Sequence, residues 1–387
     1  MKPEKIAVRV YNVGFGDCFL LTFHYRTGRR RVLIDFGSTA PPAGDPPGCM
    51  TRIARDIASG GRLHAIVATH RHGDHISGFA SRPGKIIAAL KPEVVVQPWT
   101  EDPTAAPDGL RSAGTWEQGG EDIAHGAAVR RLLEIGRGGR AVYTHSGAPS
   151  GLEEILPGVE VFVLGPPTLA QSPSIRQERA RDAAEFWQLR AFGESPRHAV
   201  RAPDLFPDAP RYRPGDAPPE LRWFLARARR IRSEQQKEFV RALDHVLNNT
   251  SLILLFRAGD FSLLFPGDAQ IENWSWALGQ ERVREMLRQV NVYKVGHHGS
   301  RNATPHSLWN LFARRSTDPC APGRLVTLLS TRSGQHGRRG DRTEIPRRTL
   351  VETLARESDL FSTESLPKGR PWRDFEFMLQ KEGGCHE

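Results

Sequence analysis

One stretch, Thr69-His70-Arg71-His72-Gly73-Asp74-His75, limits what this chain can fold into more than any other. It follows the apolar run Leu63-His64-Ala65-Ile66-Val67-Ala68. Runs of this kind, rich in β-branched residues and ended by turn formers, read as buried strands. Such a strand delivers three histidines and one aspartate into a tight turn at its C-terminal end. His70 and His72 are placed to converge on one cation, with Asp74 and His75 facing a second close by. Imidazole nitrogen and carboxylate oxygen together suit Zn²⁺, with Mn²⁺ and Fe²⁺ as near alternatives. The competing explanation is a solvated polar turn with incidental histidines. Scattered histidines seldom fall at H-x-H-x-D-H spacing directly behind a strand, so the metal reading is preferred.

The segment resembles the signature of the metallo-β-lactamase fold, a superfamily of mostly two-metal hydrolases. The resemblance implies an α/β architecture: an αββα sandwich of two mixed sheets face to face, helices outside, and the metals at one sheet edge. Other stretches resemble the hydrolase domain of bacterial DNA-uptake competence proteins. These are VGFGDCFLL and VLIDFG in residues 13–37, GVEVFVLGPP in 158–167 and KVGHHGS in 294–300. Together with the metal turn, the resemblance covers residues 5–100, 158–167 and 246–357. Asp17 and Asp35 read as turn residues that orient the site, given the general bias of aspartate toward turns.

Downstream, residues 248–265 read as a hairpin closed at Gly259-Asp260 and ending in Pro266-Gly267-Asp268-Ala269. By motif order, the resemblance makes Asp268 the carboxylate that bridges two metals. Of His297 and His298, adjacent at a strand end, only one should point inward. The resemblance favours His298 as ligand and leaves His297 for substrate, with Asp74 orienting the attacking water. Ser300 and Ser330 read as loop or substrate contacts. The third ligand of the first metal stays open between His245 and Asn249. The chain departs from the competence pattern at Thr343-Glu344-Ile345-Pro346, where a Gly-His-Pro is usual. His336 is the nearest histidine there, either a stand-in or a plain surface residue.

Coarser elements follow from periodicity. Helices are expected at Thr51 to Ser59, Ile123 to Ile135, Trp274 to Val290 and Ile345 to Glu357, with Leu325 to Thr331 as the last core strand. Residues 100–120 read as a polar loop and 381–387 as a frayed tail. The whole is expected to be a single domain with a Pro- and Arg-rich insertion at about 168–243. Within it Leu221, Phe224, Leu225, Ala228 and Ile231 mark an amphipathic helix. Its polar face carries Arg222, Arg227, Arg229, Arg230 and Arg232, candidates for tracking substrate phosphates.

Charge points the same way. Lys and Arg number 54 against 44 Asp and Glu, a formal +10, which suits nucleic acid, another phosphodiester or a membrane surface. An arginine-rich coding bias spread over the surface would give the same total. The four cysteines, Cys18, Cys49, Cys320 and Cys385, lie far apart and read as reduced thiols. No apolar h-region follows Met1 and no run is long enough to span a membrane, so a cytoplasmic location is expected. Three functions compete on these grounds. The favoured one is a phosphodiesterase or nuclease that activates water with two divalent ions. The others are a small-molecule hydrolase for a lactone, thioester or choline-phosphate ester, and a non-catalytic, metal-stabilised module of a larger complex. Metal motifs this complete argue against the last, since binding alone needs no open two-metal site.

Overall fold

Alternation of apolar and polar residues builds the first sheet. In β1 (Lys5–Tyr11) the side chains of Ile6, Val8 and Val10 are fully buried while Lys5, Ala7 and Arg9 are half-buried on the other face. β1 pairs antiparallel with β2 (Cys18–Tyr25), and β2 with β3 (Gly28–Phe36). β4 (Ala65–Val67), β5 (Val94–Pro98) and β6 (Arg140–Thr144) then add on in parallel, and the far edge beside β1 is taken by β13 (Trp372–Met378). The second sheet opens with β7 (Glu160–Gly165), β8 (Ile253–Ala258) and β9 (Phe261–Phe265), all antiparallel. It continues in parallel through β10 (Val292–Lys294), β11 (Val326–Leu329) and β12 (Asp359–Ser362). This computed structural model describes residues 1–103, 125–176, 185, 247–337 and 343–379.

Three apolar layers show how the sheets stack. Ile6, Val8, Phe19, Phe23 and Val67 of the first sheet share one core with Leu254, Phe256, Phe265, Val292 and Leu328 of the second. Each such side chain, fully buried, stabilises the fold by roughly 1.5–3 kcal/mol relative to exposure. The outer face of the first sheet is covered by α1 (Cys49–Ser59), α3 (Ser81–Ala88) and α4 (Gly126–Gly138), through Ile53, Ile57, Ile87, Leu132 and Ile135. Between α1 and α3 comes the single turn α2 (Gly73–Ile76), which belongs to the histidine segment. The second sheet's outer face is covered by α5 (Ile271–Leu278), α6 (Glu281–Arg288), α7 (His306–Leu311) and α8 (Arg348–Glu357), through Trp274, Leu287, Trp309 and Leu354. The order is helix, sheet, sheet, helix: the αββα sandwich.

Several local expectations need correction. The segment 274–290 is two helices, because Gly279 and Gln280 interrupt it between Leu278 and Glu281. The last helix begins at Arg348, after Pro346 and not at Ile345. Leu325 to Thr331 does not hold the last strand, since β12 and β13 follow. β13 escaped notice because it is an edge strand, and its WRDFEFM sequence exposes charged residues instead of showing a buried run. Chain contacts divide the molecule into one unit of residues Met1–Gln188 with Val246–Glu387 and another of Leu189–His245. Leu169 and Ile175, at the start of the expected insertion, are buried within the first unit. The rest of that insertion, including the arginine helix, lies outside the described residues, as do most of the 100–120 loop and the 381–387 tail. Among the described residues no helix is long and apolar enough to cross a membrane.

What positions the site is strand direction. β3, β4, β9, β10 and β11 run so that their carboxyl ends open the segments bearing Asp35, His70, Asp268, His297 and Ser330. Parallel strands place such ends at one sheet edge, and that edge is where sites form in α/β folds.

Candidate metal centre

The turn after β4 is held in place by groups on either side of it. Asp35, at the end of β3, accepts from the Thr69 backbone N–H at 2.7 Å and the Thr69 hydroxyl at 2.8 Å. It also accepts from His75 Nδ1–H at 2.7 Å. Arg71, between the first two histidines, donates through Nε to both Glu101 oxygens at 2.8 and 3.0 Å and through Nη2 at 2.7 Å. Two glycines permit close approach. A Cβ on Gly37 would lie 2.4 Å from the Asp74 carbonyl carbon and the His75 nitrogen. One on Gly267, whose φ is +55°, would lie 2.8 Å from Thr69 Cβ.

These contacts bring separate segments to one point. Ligand-capable atoms of Asp74, His75, Asp268 and His298 all lie within 4.8 Å of one another. His75 Nε2 is 3.1 Å from Asp268 Oδ2 and 3.9 Å from Asp74 Oδ2. His298 Nε2 is 2.9 Å from Asp74 Oδ2 and 3.6 Å from Asp268 Oδ2. Both rings have their other nitrogen committed, His75 to Asp35 and His298 to the Ser330 carbonyl at 3.0 Å. A neutral ring in this setting would turn a bare Nε2 lone pair toward carboxylate oxygen. Only a cation, proton or metal, reconciles that arrangement, and His75 Nε2 is buried with no hydrogen-bond partner among the described residues. His70 has Nδ1 3.2 Å from the Thr69 hydroxyl, and its Nε2 lies 3.0 Å from His72 Nδ1, so the two rings present a pair of facing nitrogens. The donor set of imidazole and carboxylate fits divalent ions of the Zn²⁺ type.

His297 and His298 correct the strand argument. β10 has already ended at Lys294, and the pair lies on a turn with φ of 44° and 52°, so alternation along a strand does not apply. Both rings consequently approach Asp268, His297 Nε2 at 3.9 Å. His298 is fully buried in the cluster, whereas the His297 side chain keeps 19% of its surface and has an Nδ1 without a partner among the described residues.

Burial and charge set the protonation of the ion-free site. Burial disfavours the charged form of His75, but Asp268, Asp35 and Asp74 outweigh it and hold the ring well above the usual histidine range. His298 is likewise raised against burial by Asp268, Asp17 and Asp74. His70 is pushed well below the ordinary value by burial and its neighbours His75 and His72, and His297 falls to about 4 mainly through burial. Burial raises Asp35 despite the opposing His75. Asp74 and Asp268 are lowered, burial notwithstanding, by the surrounding histidines. In the ion-free chain, charged His75 and His298 contribute stability that is present below about 6.5 and lost as pH rises through their raised values. Zn²⁺ must displace those protons, so loading near pH 7 is expected to release up to two protons, from His75 and His298, and to weaken as pH falls. Calorimetric titration in buffers of different ionisation enthalpy reads that number. Loading with no proton release would contradict this picture.

Other expected residues are placed differently. The Ser300 hydroxyl is buried and donates to Asn302 Oδ1 within its own loop at 3.0 Å. Ser330 donates to the Gly16 carbonyl at 2.5 Å. Asn249 is fully buried in the turn Asn248–Thr250, a segment joined to the metal turn where Leu252 N–H donates to the Thr69 carbonyl at 2.9 Å. His245, Arg222, Arg229 and Arg230 lie outside the described residues, so the third ligand of the first metal stays open. His336 stays outside the cluster. Its ring packs at 4.4 Å on Phe15, whose ring lies 4.4 Å from that of His298. Sequence reasoning passed over Lys294, Glu101 and His125. The His125 ring lies against Gly73, within 2.2 Å of where a Cβ would be. A lone charge inside Val292-Tyr293-Lys294-Val295 was the one available signal for Lys294, and none existed for the other two.

Residues 11–151 match the model of the Metallo-beta-lactamase superfamily. That stretch holds the metal turn and the first sheet from the end of β1 through β6, while Asp268 and the His297–His298 pair lie beyond it. No curated protein matches the chain. The superfamily match and the His/Asp cluster together support a metal-dependent hydrolase.

Proposed function

We propose that this chain is a binuclear metal-dependent phosphodiesterase whose substrate is nucleic acid. The observation that carries the reading is the convergence of Asp74, His75, Asp268 and His298, with imidazole Nε2 atoms facing carboxylate oxygens and the His70–His72 pair alongside. His70 and His72 would hold one ion, Asp74, His75 and His298 the other, and Asp268 both. Bound there, divalent ions supply Lewis acidity and lower the pKa of water. Asp74 holds His298 in place and is the carboxylate available to orient an attacking water. His297, whose side chain keeps 19% of its surface, is left to meet the substrate.

Charge supports an anionic substrate. The cluster contains Asp17, Asp35, Asp74 and Asp268 against Lys294, so with neutral imidazoles it carries four negative charges and one positive, net −3. Two divalent ions would bring it to +1, or to zero with the activated water as hydroxide, which removes the repulsion of an anionic phosphodiester. The surplus of ten positive charges and the motif resemblance to DNA-uptake hydrolases point the same way.

The test is a panel of single- and double-stranded DNA, RNA and bis(p-nitrophenyl) phosphate with Zn²⁺, Mn²⁺ or Fe²⁺. Nucleic-acid cleavage is expected, with binding that weakens steeply with salt, about one unit of log–log slope per phosphate contacted. Reversing Arg229 and Arg230 to Glu is expected to weaken binding of all sequences alike, since phosphate contacts carry no base information. Metal content should not change. Hydrolysis of a lactone, thioester or choline-phosphate ester with no action on nucleic acid would overturn the substrate class and leave the metal centre standing.

A further inference from the structure

Lys294 closes a short apolar strand and keeps only 1% of its surface. A lysine buried that far is tolerated only when its charge is met. Its ammonium makes its closest contact with the Asp17 carboxylate, donates to the Gly267 carbonyl at 3.0 Å, and lies 3.5 Å from Asp268 Oδ1. Asp17 is equally buried, with Oδ2 3.7 Å from His75 Nδ1 and Oδ1 3.6 Å from His298 Nδ1. Asp17, Asp35 and His75 thus form a second group with ligand-capable atoms within 4.8 Å of one another. The cation beside this group belongs to the chain itself.

We infer that Lys294 is the built-in cation of the Asp17–Asp35–His75 group, and that its balance against Asp17 sets how tightly the neighbouring cluster holds divalent ions. The inference rests on the metal centre proposed above. Two features carry it. The ammonium lies at Asp268 Oδ1, which leaves Oδ2, the oxygen facing His75 and His298, for bound ions. Asp17 also neutralises a positive charge that would otherwise stand 3.5 Å from a ligand carboxylate and repel an incoming cation. Lys294 and Asp17 are therefore positioning residues.

The test compares Asp17→Asn with the double variant Asp17→Asn/Lys294→Met. The single change takes from Lys294 its closest counter-charge and leaves it facing Asp268. The double change restores the net charge of the cluster without the ammonium. Zn²⁺ is titrated into the chelator-stripped 387-residue chain against a chromophoric chelator. D17N is expected to weaken Zn²⁺ binding by roughly 10- to 100-fold, the scale of one added charge at this range in a partly screened interior. The second substitution should return the affinity to within a few-fold of the parent. A purely structural ion pair would instead lower the unfolding midpoint of both variants and leave Zn²⁺ affinity unmoved, which would overturn the inference. So would a double variant that binds no better than D17N. Should D17N alone fail to fold, K294M against the double variant carries the same comparison. The lone Asp17 carboxylate should then strengthen Zn²⁺ binding by a similar factor, and equal affinities overturn the inference. A parent chain that binds no Zn²⁺ sinks the metal centre itself, whereas a binding parent with an insensitive D17N sinks only the role of Lys294.

Discussion

Replacing Asp268 by Ala is expected to abolish ion binding at the proposed two-metal centre, and with it hydrolysis. Asp268 is 1% exposed, and its Oδ2 lies 3.1 Å from His75 Nε2 and within 3.9 Å of the Nε2 atoms of His297 and His298. Its Oδ2 thus faces both histidines of the 297–298 turn as well as His75. Removing it takes one negative charge from the cluster and leaves Lys294 nearer to uncompensated. Metal content should fall from the parent's value toward none. Activity on bis(p-nitrophenyl) phosphate should drop by at least the roughly 10²- to 10³-fold that the loss of one transition-state contact costs. Elemental analysis and circular dichroism on the same preparation separate lost metal from lost fold. A folded D268A that still carries two ions would remove Asp268 from the site.

The second large effect is on stability. Glu101 is 8% exposed and its carboxylate receives three hydrogen bonds from Arg71, the residue between His70 and His72. Burial acts against the Arg71 charge, but Glu101 more than compensates and raises its pKa. Taking one partner from a buried ion pair costs about 3–5 kcal/mol. Glu101→Ala is expected near the lower end, about 3 kcal/mol, because the Arg71 side chain retains 18% of its surface and has a further contact. Denaturant unfolding reads that loss as a lower midpoint. Zn²⁺ affinity should fall by about 10- to 100-fold as well, as it does when groups orienting metal ligands are removed. A variant that unfolds like the parent would mean that the turn is held by Asp35 and Thr69 alone.

The sequence by itself determined the centre of this protein. H-x-H-x-D-H behind the 63–68 run contains its own evidence, because five metal-capable or turn-forming residues in one short segment restrict both the chemistry and the strand that must precede it. The Pro-Gly-Asp after a hairpin and the paired histidines are short local patterns at the ends of apolar runs, and the family resemblance is what gave them their expected roles. The two-sheet architecture was implied by the resemblance to the metallo-β-lactamase fold, while alternation and helical periods marked only the individual strands and helices.

Tertiary structure alone decided which local features meet. That Asp17 faces Lys294, at a separation of 277 residues, and that Glu101 grips Arg71 across 30 are long-range pairings that no local pattern encodes. The left-handed turn that lets His297 and His298 both approach Asp268 is a backbone choice enforced by packing, against the ordinary preference of histidine. β13 is likewise fixed only by its partner β1, because an edge strand half open to solvent leaves no buried run to read. Periodicity reports which face of an element is buried. Only the packed chain sets what lies against that face, and here it places a lysine beside the carboxylate expected to hold two metal ions.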